Sequence, residues 1–118
     1  MVINQGDVIW ANPGKPLGSE PGYLHPFVVI QNDAANHSRL NTVIACMLTT
    51  NLERGGAPGN VLLGKGEANL QKRSVVNVSQ TYALDKSRLL DKIGTLPPAR
   101  VKEIIAGLLE LLEPTGAL

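Results

Sequence analysis

The sequence has little cysteine, few aromatic residues and few charges. Its single cysteine, Cys46, cannot form an internal disulfide, and it lies in the apolar run TVIACML, where a free thiol is typically buried. The only aromatic residues are Trp10, Tyr23, Phe27 and Tyr82. Charged residues make up 18% of the chain, below the about 25% of typical domains, whereas hydrophobic residues make up 43%. This composition excludes a disordered polar chain and predicts an aliphatic core.

Long hydrophobic runs are also absent. None approaches the roughly 18 residues that a membrane-spanning helix requires. The first ten residues, MVINQGDVIW, lack the basic and apolar regions of a secretory signal. We therefore expect a cytoplasmic protein with no membrane partner. The length of 118 residues predicts one domain, residues 1–118, since domains cluster near about 100–150 residues.

The sequence contains no pattern typical of a bound metal or cofactor. His25 and His37 are far apart in sequence and form no ligand-spaced cluster with Cys46. The glycines at positions 14, 18 and 22 precede a predicted strand, whereas a phosphate-binding loop precedes a helix. We therefore predict no metal site and no cofactor. The net charge of +1 neither favours nor excludes nucleic acid, although residues 51–100 carry eight basic and four acidic side chains.

Short β-type runs separated by Gly- and Pro-rich connections fill most of the chain. The segment 12–23 holds three glycines and three prolines, which excludes a helix or an internal strand there and predicts a long loop. Apolar and β-branched runs predict strands. They cover residues 8–11, 27–31, 42–50, 61–63, 74–78 and 81–84, with 91–96 as one more candidate.

The C-terminal segment alone shows helical periodicity. Apolar residues recur at three- and four-residue spacing from Val101 to Leu112, and Pro114 ends the helix. We expect Thr95 to be the N-cap, with Pro97 and Pro98 in the first turn. The sequence therefore predicts a mainly β fold, in which five to seven short strands form a small curled sheet or barrel, closed by a C-terminal α-helix.

Several motifs then point to a family. The strings GDVIW and GSEPGYLHPFVVIQND are similar to the N-terminal signature of the MazF/PemK endoribonuclease toxins, in which a GSE-x-x-x-x-RP loop precedes an apolar strand. TVIACMLTTN resembles the family's third strand, and SVVNVSQTYALDKSRLLDKIGTL resembles its late LDK-x-R-L-x-DKIG-x-L segment. The resemblance covers about residues 5–112, including the final amphipathic helix.

The resemblance implies an SH3-like, CcdB-like barrel that forms a homodimer. It further implies the toxin of a type II toxin–antitoxin system, a metal-independent, sequence-specific endoribonuclease. Such enzymes cleave single-stranded mRNA to 2′,3′-cyclic phosphate and 5′-hydroxyl ends. A cognate antitoxin protein inhibits family members by wrapping along the dimer.

One residue departs from the family pattern at the site of the chemistry. The family uses an arginine before the loop proline and a threonine at the end of the third strand. Thr49 holds the threonine position here, but His25 stands before Pro26 where the arginine is expected. An imidazole titrates near about 6.5, so His25 can act as general acid or base, whereas a guanidinium cannot. We predict that Thr49 binds the scissile phosphate and that Glu20 is a further candidate proton acceptor.

Five other polar residues are candidate substrate contacts. Asn32 and Gln80 match polar positions that the family uses around RNA, and their amides suit hydrogen bonds to base edges. Ser19 and Lys15 lie in the long loop, and Arg54 is positioned to meet a phosphate. Each of these residues also fits an ordinary turn or surface role.

A non-catalytic toxin of the same fold is the alternative function. CcdB-like relatives poison a protein target such as DNA gyrase through an epitope at the C-terminal end, with an aromatic residue near the last position. This chain ends in PTGAL without a tryptophan there, and it retains the GSE loop and Thr49. Both observations favour the nuclease.

Overall fold

The protein is described by a computed structural model over residues 1–14 and 24–114. Among these residues, two helices and six strands follow one another along the chain. They are β1 Asp7–Ala11, β2 His25–Val29, α1 Asp33–Asn36, β3 Thr42–Thr49, β4 Val61–Leu63, β5 Ser74–Asp85, β6 Leu89–Thr95 and α2 Pro98–Leu112. The predicted strands are confirmed to within a few residues, and the segment 91–96 belongs to β6.

The strands form one antiparallel sheet in the order β4-β5-β3-β2-β1-β6. The mainly β fold with a C-terminal helix is confirmed, but the closed barrel is wrong. Among the described residues, the edge strands β4 and β6 pair with one neighbour each and not with each other. The connection after β4 instead runs past β6, where the side-chain amide of Asn69 donates to the carbonyl of Ile93 over 3.1 Å. This contact between the loop and β6 lies where a closed barrel would have backbone pairing between its two edge strands.

Strand β5 is a single long strand with a bulge, rather than the two strands predicted at 74–78 and 81–84. On β3, the adjacent residues Cys46 and Met47 pair with Thr81 and Asn77 of β5, respectively. The β5 residues between these two partners have no counterpart on β3. A bulge of this kind bends the strand and redirects its side chains, and here it displaces Gln80 from the regular alternation.

Helix α2 packs on β4 and β5 through the face that its periodicity predicts. Val101 and Ile104 are buried, and Ile104 joins a core cluster that includes residues of β1, β2, β3, β4 and β5. The predicted N-cap is wrong, because Pro97 precedes the helix and makes no side-chain capping bond. Thr95 instead donates its hydroxyl to the buried Asp7 carboxylate over 2.8 Å. No helix in the described part of the chain is long and apolar enough to cross a membrane.

The loop before β4 touches α2 at the backbone. A Cβ atom added to Gly107 would overlap with the carbonyl oxygen of Gly59, and one added to Gly59 would overlap with that of Gly107. Gly59 also has a φ of +78°, a conformation that disfavours other residues. The loop 57–60 is therefore held directly against the helix.

Candidate functional site

The sheet register brings His25 and Thr49 together. In the β2–β3 ladder, Phe27 pairs with Met47, Val28 with Cys46 and Val29 with Ala45. Continuing this antiparallel register by two residues sets His25, at the start of β2, opposite Thr49, at the end of β3. Side chains of directly opposed residues are close neighbours on one face of a sheet.

A cavity of about 170 Å³ opens where these two strand ends meet. It collects side chains from β2, from the end of β3, from the turn after β3 and from the bulge of β5. The lining residues are His25, Met47, Leu48, Thr49, Asn51, Arg54, Asn77 and Gln80. Four of the predicted site residues, His25, Thr49, Arg54 and Gln80, thus share one cavity.

His25 is partly buried, and this burial sets its charge. Desolvation lowers the pKa of His25 from its ordinary value of 6.5, because a partly dry environment disfavours the imidazolium. At neutral pH the neutral imidazole therefore predominates. A neutral imidazole has an unprotonated ring nitrogen, so His25 can accept a proton from a substrate hydroxyl.

The backbone holds the hydroxyl oxygen of Thr49. The Oγ1 atom accepts the backbone N–H of Asn51 over 3.1 Å, at the turn that follows β3. Because this contact uses an oxygen lone pair, the O–H remains able to donate. Thr49 therefore offers a hydrogen-bond donor whose oxygen is held by the backbone. Such a donor is suited to binding a phosphate oxygen.

The charge in the cavity comes from Arg54. This exposed residue lies in the 3₁₀ turn Leu52–Gly56. Asn51 caps the turn, because its side chain accepts the N–H of Glu53 over 3.2 Å. The Arg54 guanidinium forms no ion pair with any residue that the structure describes. An unpaired guanidinium is suited to bidentate binding of a phosphate.

The remaining predicted site residues do not line this cavity. Asn32 lies beyond the opposite end of β2, three residues after Val29. Its side chain caps α1 by accepting the N–H of Ala35 over 2.9 Å. Lys15, Ser19 and Glu20 lie outside the described residues, and their roles remain predictions.

Two polar lining residues were missed from the sequence, Asn51 and Asn77. Asn51 gave no signal beyond ordinary turn chemistry. Asn77 did give one, since it is an amide within the apolar run SVVNV, and a buried amide in a strand requires hydrogen-bond partners. It is only 4% exposed.

The cavity continues as a groove toward Trp10. A neighbouring cavity of about 300 Å³ shares His25 and Thr49 and extends to Trp10 and Leu24. A third, of about 370 Å³, shares Trp10 and adds Lys72. Trp10 is 40% exposed in this groove. A polymer lying along the groove would meet the Lys72 cation, then the aromatic face of Trp10, and then the His25–Thr49 pair.

Solved structures of MazF toxins share this fold. MazF from Deinococcus radiodurans superposes with a TM-score of 0.77 at 27% identity, covering 95% of this chain and 97% of that chain. A MazE–MazF structure from the same organism gives a TM-score of 0.76 at 25% identity, with 98% and 99% covered.

Sequence comparison gives the same result at higher identity. Endoribonuclease MazF6 of Mycobacterium tuberculosis is 41% identical over 113 residues, which is 96% of this chain and 99% of that protein. A family model described as the PemK-like, MazF-like toxin of type II toxin–antitoxin systems matches residues 4–112. The chain therefore belongs to the PemK/MazF family of type II toxins.

Proposed function

We propose that this chain is a sequence-specific, metal-independent endoribonuclease that cleaves single-stranded mRNA to 2′,3′-cyclic phosphate and 5′-hydroxyl ends. The observation that carries the proposal is the single cavity shared by His25, Thr49 and Arg54. These side chains offer a proton acceptor, a neutral donor and a cation. The relatives' names supply the reaction class, because the 41%-identical protein is called an endoribonuclease.

The reaction needs each of these three groups once. His25 takes the proton of the ribose 2′-hydroxyl, and the 2′-oxygen attacks the adjacent phosphorus. Thr49 and Arg54 stabilise the negative charge that develops on the phosphorane oxygens. The bond from phosphorus to the 5′-oxygen then breaks, and that oxygen takes up a proton from solvent. The cyclic phosphate remains on the upstream fragment.

A cognate antitoxin is the proposed protein partner. A MazE–MazF structure is among the solved structures that this fold matches, and the family is described as the toxin of type II toxin–antitoxin systems. An antitoxin that covers the groove from Trp10 to His25 would exclude RNA from it. Such occlusion would explain inhibition without any change in the toxin's fold.

Incubation of the purified protein with a long RNA in EDTA tests the proposed activity. We expect discrete cuts whose upstream fragments end in a cyclic phosphate and whose downstream fragments carry a 5′-hydroxyl. Cleavage that requires an added divalent ion would contradict the metal-independent mechanism. Intact RNA combined with inhibited topoisomerase would instead support the CcdB-like alternative.

We further propose a homodimer that forms through α2. Leu109 and Leu112 are 49% and 64% exposed on this helix, and Leu62 is exposed on the adjoining edge strand β4. A single small domain seldom leaves such a set of leucines in water unless a partner covers it. We expect a species of twice the 12.6 kDa chain mass in light scattering at micromolar concentration.

The variant Leu109→Glu is expected to shift this species toward the monomer. Leu90→Glu is the matched control, because Leu90 is similarly exposed but lies on β6, at the other edge of the sheet. It should leave the dimer intact. A monomeric parent protein, or equal behaviour of the two variants, would remove α2 from the interface.

A further inference from the structure

A chain of three hydrogen-bonded side-chain amides reaches the wall of the catalytic cavity. Asn60, in the loop before β4, contacts Asn77 of β5, and Asn77 contacts Gln80 in the bulge of the same strand. Asn77 and Gln80 line the cavity together with His25 and Thr49. An amide has one accepting and one donating end, so the orientation of each group restricts that of the next.

Backbone groups fix the first amide. The N–H of Val78 can only donate, and it contacts Oδ1 of Asn60 over 3.0 Å. The carbonyl of Arg54 can only accept, and it contacts Nδ2 of Asn60 over 2.9 Å. Turning the Asn60 amide around would place two donors together and two acceptors together. Its orientation is therefore determined.

The second amide follows from the first. Nδ2 of Asn60 also donates to Oδ1 of Asn77 over 3.2 Å. The Nδ2 of Asn77 must then face the other way, and it donates to Oε1 of Gln80 over 2.8 Å. Ser79 donates its hydroxyl to Oδ1 of Asn77 over 3.0 Å. A hydroxyl can donate or accept, so this contact agrees with the orientation without deciding it.

The third amide meets the cavity with its donating end. Because Oε1 of Gln80 is engaged by Asn77, the amide nitrogen is the end left for a ligand. Nε2 of Gln80 has no hydrogen-bond partner among the residues that the structure describes. The polarity of a backbone N–H and a backbone carbonyl is thus transmitted through two partly buried hydrogen bonds to the wall of the site.

We propose that this Asn60–Asn77 relay makes Gln80 a donor that reads a hydrogen-bond acceptor on the edge of an RNA base. The inference rests on the proposed nuclease function and adds a specificity determinant to it. Arg54, a cation in the same cavity, is the better partner for a phosphate, whereas a neutral amide is suited to base edges. Asn77 also lines the cavity, but both ends of its amide are engaged within the protein, so its role in the relay is to position Gln80.

The variant Asn77→Asp tests the relay because a carboxylate can only accept. It can still accept from Asn60 and Ser79, but it must also accept from Gln80, which turns the Gln80 amide around. The cavity wall would then present an acceptor. We expect preferred cut sites to be cleaved about tenfold less well relative to other sites, as expected for one lost hydrogen bond and one unpaired group. The readout is the ratio of cleavage among sites in an RNA of randomised sequence.

A second variant reaches the same end without altering the buried residue. Gln80→Glu accepts from Asn77 and presents a second oxygen to the cavity, so it should shift the site ratios in the same direction. Ser79→Ala is the matched control, because it removes a contact to Asn77 that does not set polarity, and it should keep the ratios of the parent. A uniform loss of rate at all sites in both polarity variants would indicate a phosphate contact and would overturn the inference, as would unchanged ratios.

Side-chain amide exchange measured by NMR separates the relay from the nuclease function. In the free parent protein the Nε2 protons of Gln80 should exchange rapidly with water, and in Asn77→Asp they should be protected. This result can be obtained even if no RNA is cut, in which case the function fails and the relay stands. Protected Nε2 protons in the parent would refute the relay directly.

Discussion

Replacing His25 with alanine is expected to lower the rate of RNA cleavage by about 10²–10⁴-fold, the usual contribution of a general base. The loss follows from its place in the cavity, opposite Thr49 and beside Arg54. Cleavage by the parent should also depend on pH, with an inflection that the variant lacks. The measurement is single-turnover cleavage of one defined RNA from about pH 5 to about pH 9, a range that spans imidazole titration.

The direction of the pH dependence distinguishes two roles for the imidazole. Burial lowers the pKa of His25 below 6.5, so the neutral form predominates at neutral pH. A general base works in this neutral form, so the rate should rise with pH through the lowered pKa and then level off. If His25 acted only as a cation, the rate would fall over the same range.

Two variants serve as controls for this experiment. His37→Ala removes the other histidine, which contacts the carbonyl of Ile3 and the side chain of Asn4 away from the cavity, and it should leave the inflection unchanged. His25→Arg restores the usual family residue, and we expect it to recover activity through its charge while losing the inflection. Parent-like cleavage by His25→Ala across the whole range would exclude His25 from the chemistry.

Replacing Thr49 with alanine is expected to lower cleavage by about one to three orders of magnitude, as when one donor to a transition-state oxygen is removed. The Asn51 N–H holds the hydroxyl oxygen in place before substrate binds. The loss should therefore appear mainly in kcat rather than in KM.

The conservative variant Thr49→Ser separates the hydroxyl from the methyl group. It keeps the oxygen that accepts from the Asn51 N–H and an O–H that can donate, and it should retain most of the activity. A circular dichroism melt would verify that both variants are folded. Equal turnover by the parent and a folded Thr49→Ala protein would remove the hydroxyl from the mechanism.

Much of the fold could be predicted because the strands are short apolar runs between Gly- and Pro-rich connections. Whether the sheet closes into a barrel could not be predicted, because no local pattern indicates which sheet edges meet. The contact of Asn69 with Ile93, which lies at one of these edges, joins residues distant in sequence. The joining of 74–78 and 81–84 into one strand depends on the register of β3, which composition does not reveal. Thr95 has the chemistry of an N-cap, but the buried Asp7 takes its hydroxyl.

The candidate site was predictable where the family pattern covers it. That pattern indicated His25 and Thr49, and the sheet register explains why two residues distant in sequence meet. Asn32 caps α1 and does not line this cavity, so its contact with substrate stays a prediction. The family pattern did not indicate Asn77. It could have been found by asking which hydrogen-bond partners a buried amide requires.

The backbone contact between Gly59 and Gly107 has a mechanical consequence for this site. Gly59 immediately precedes Asn60, the first amide of the relay, and it lies against the helix with no side chain in between. Helix α2 therefore supports the loop that carries Asn60, and through the relay it supports the Gln80 side of the cavity. A single methyl group at either glycine would push the helix and the loop apart. Asn60 would then shift, and with it the contacts that orient the Gln80 amide.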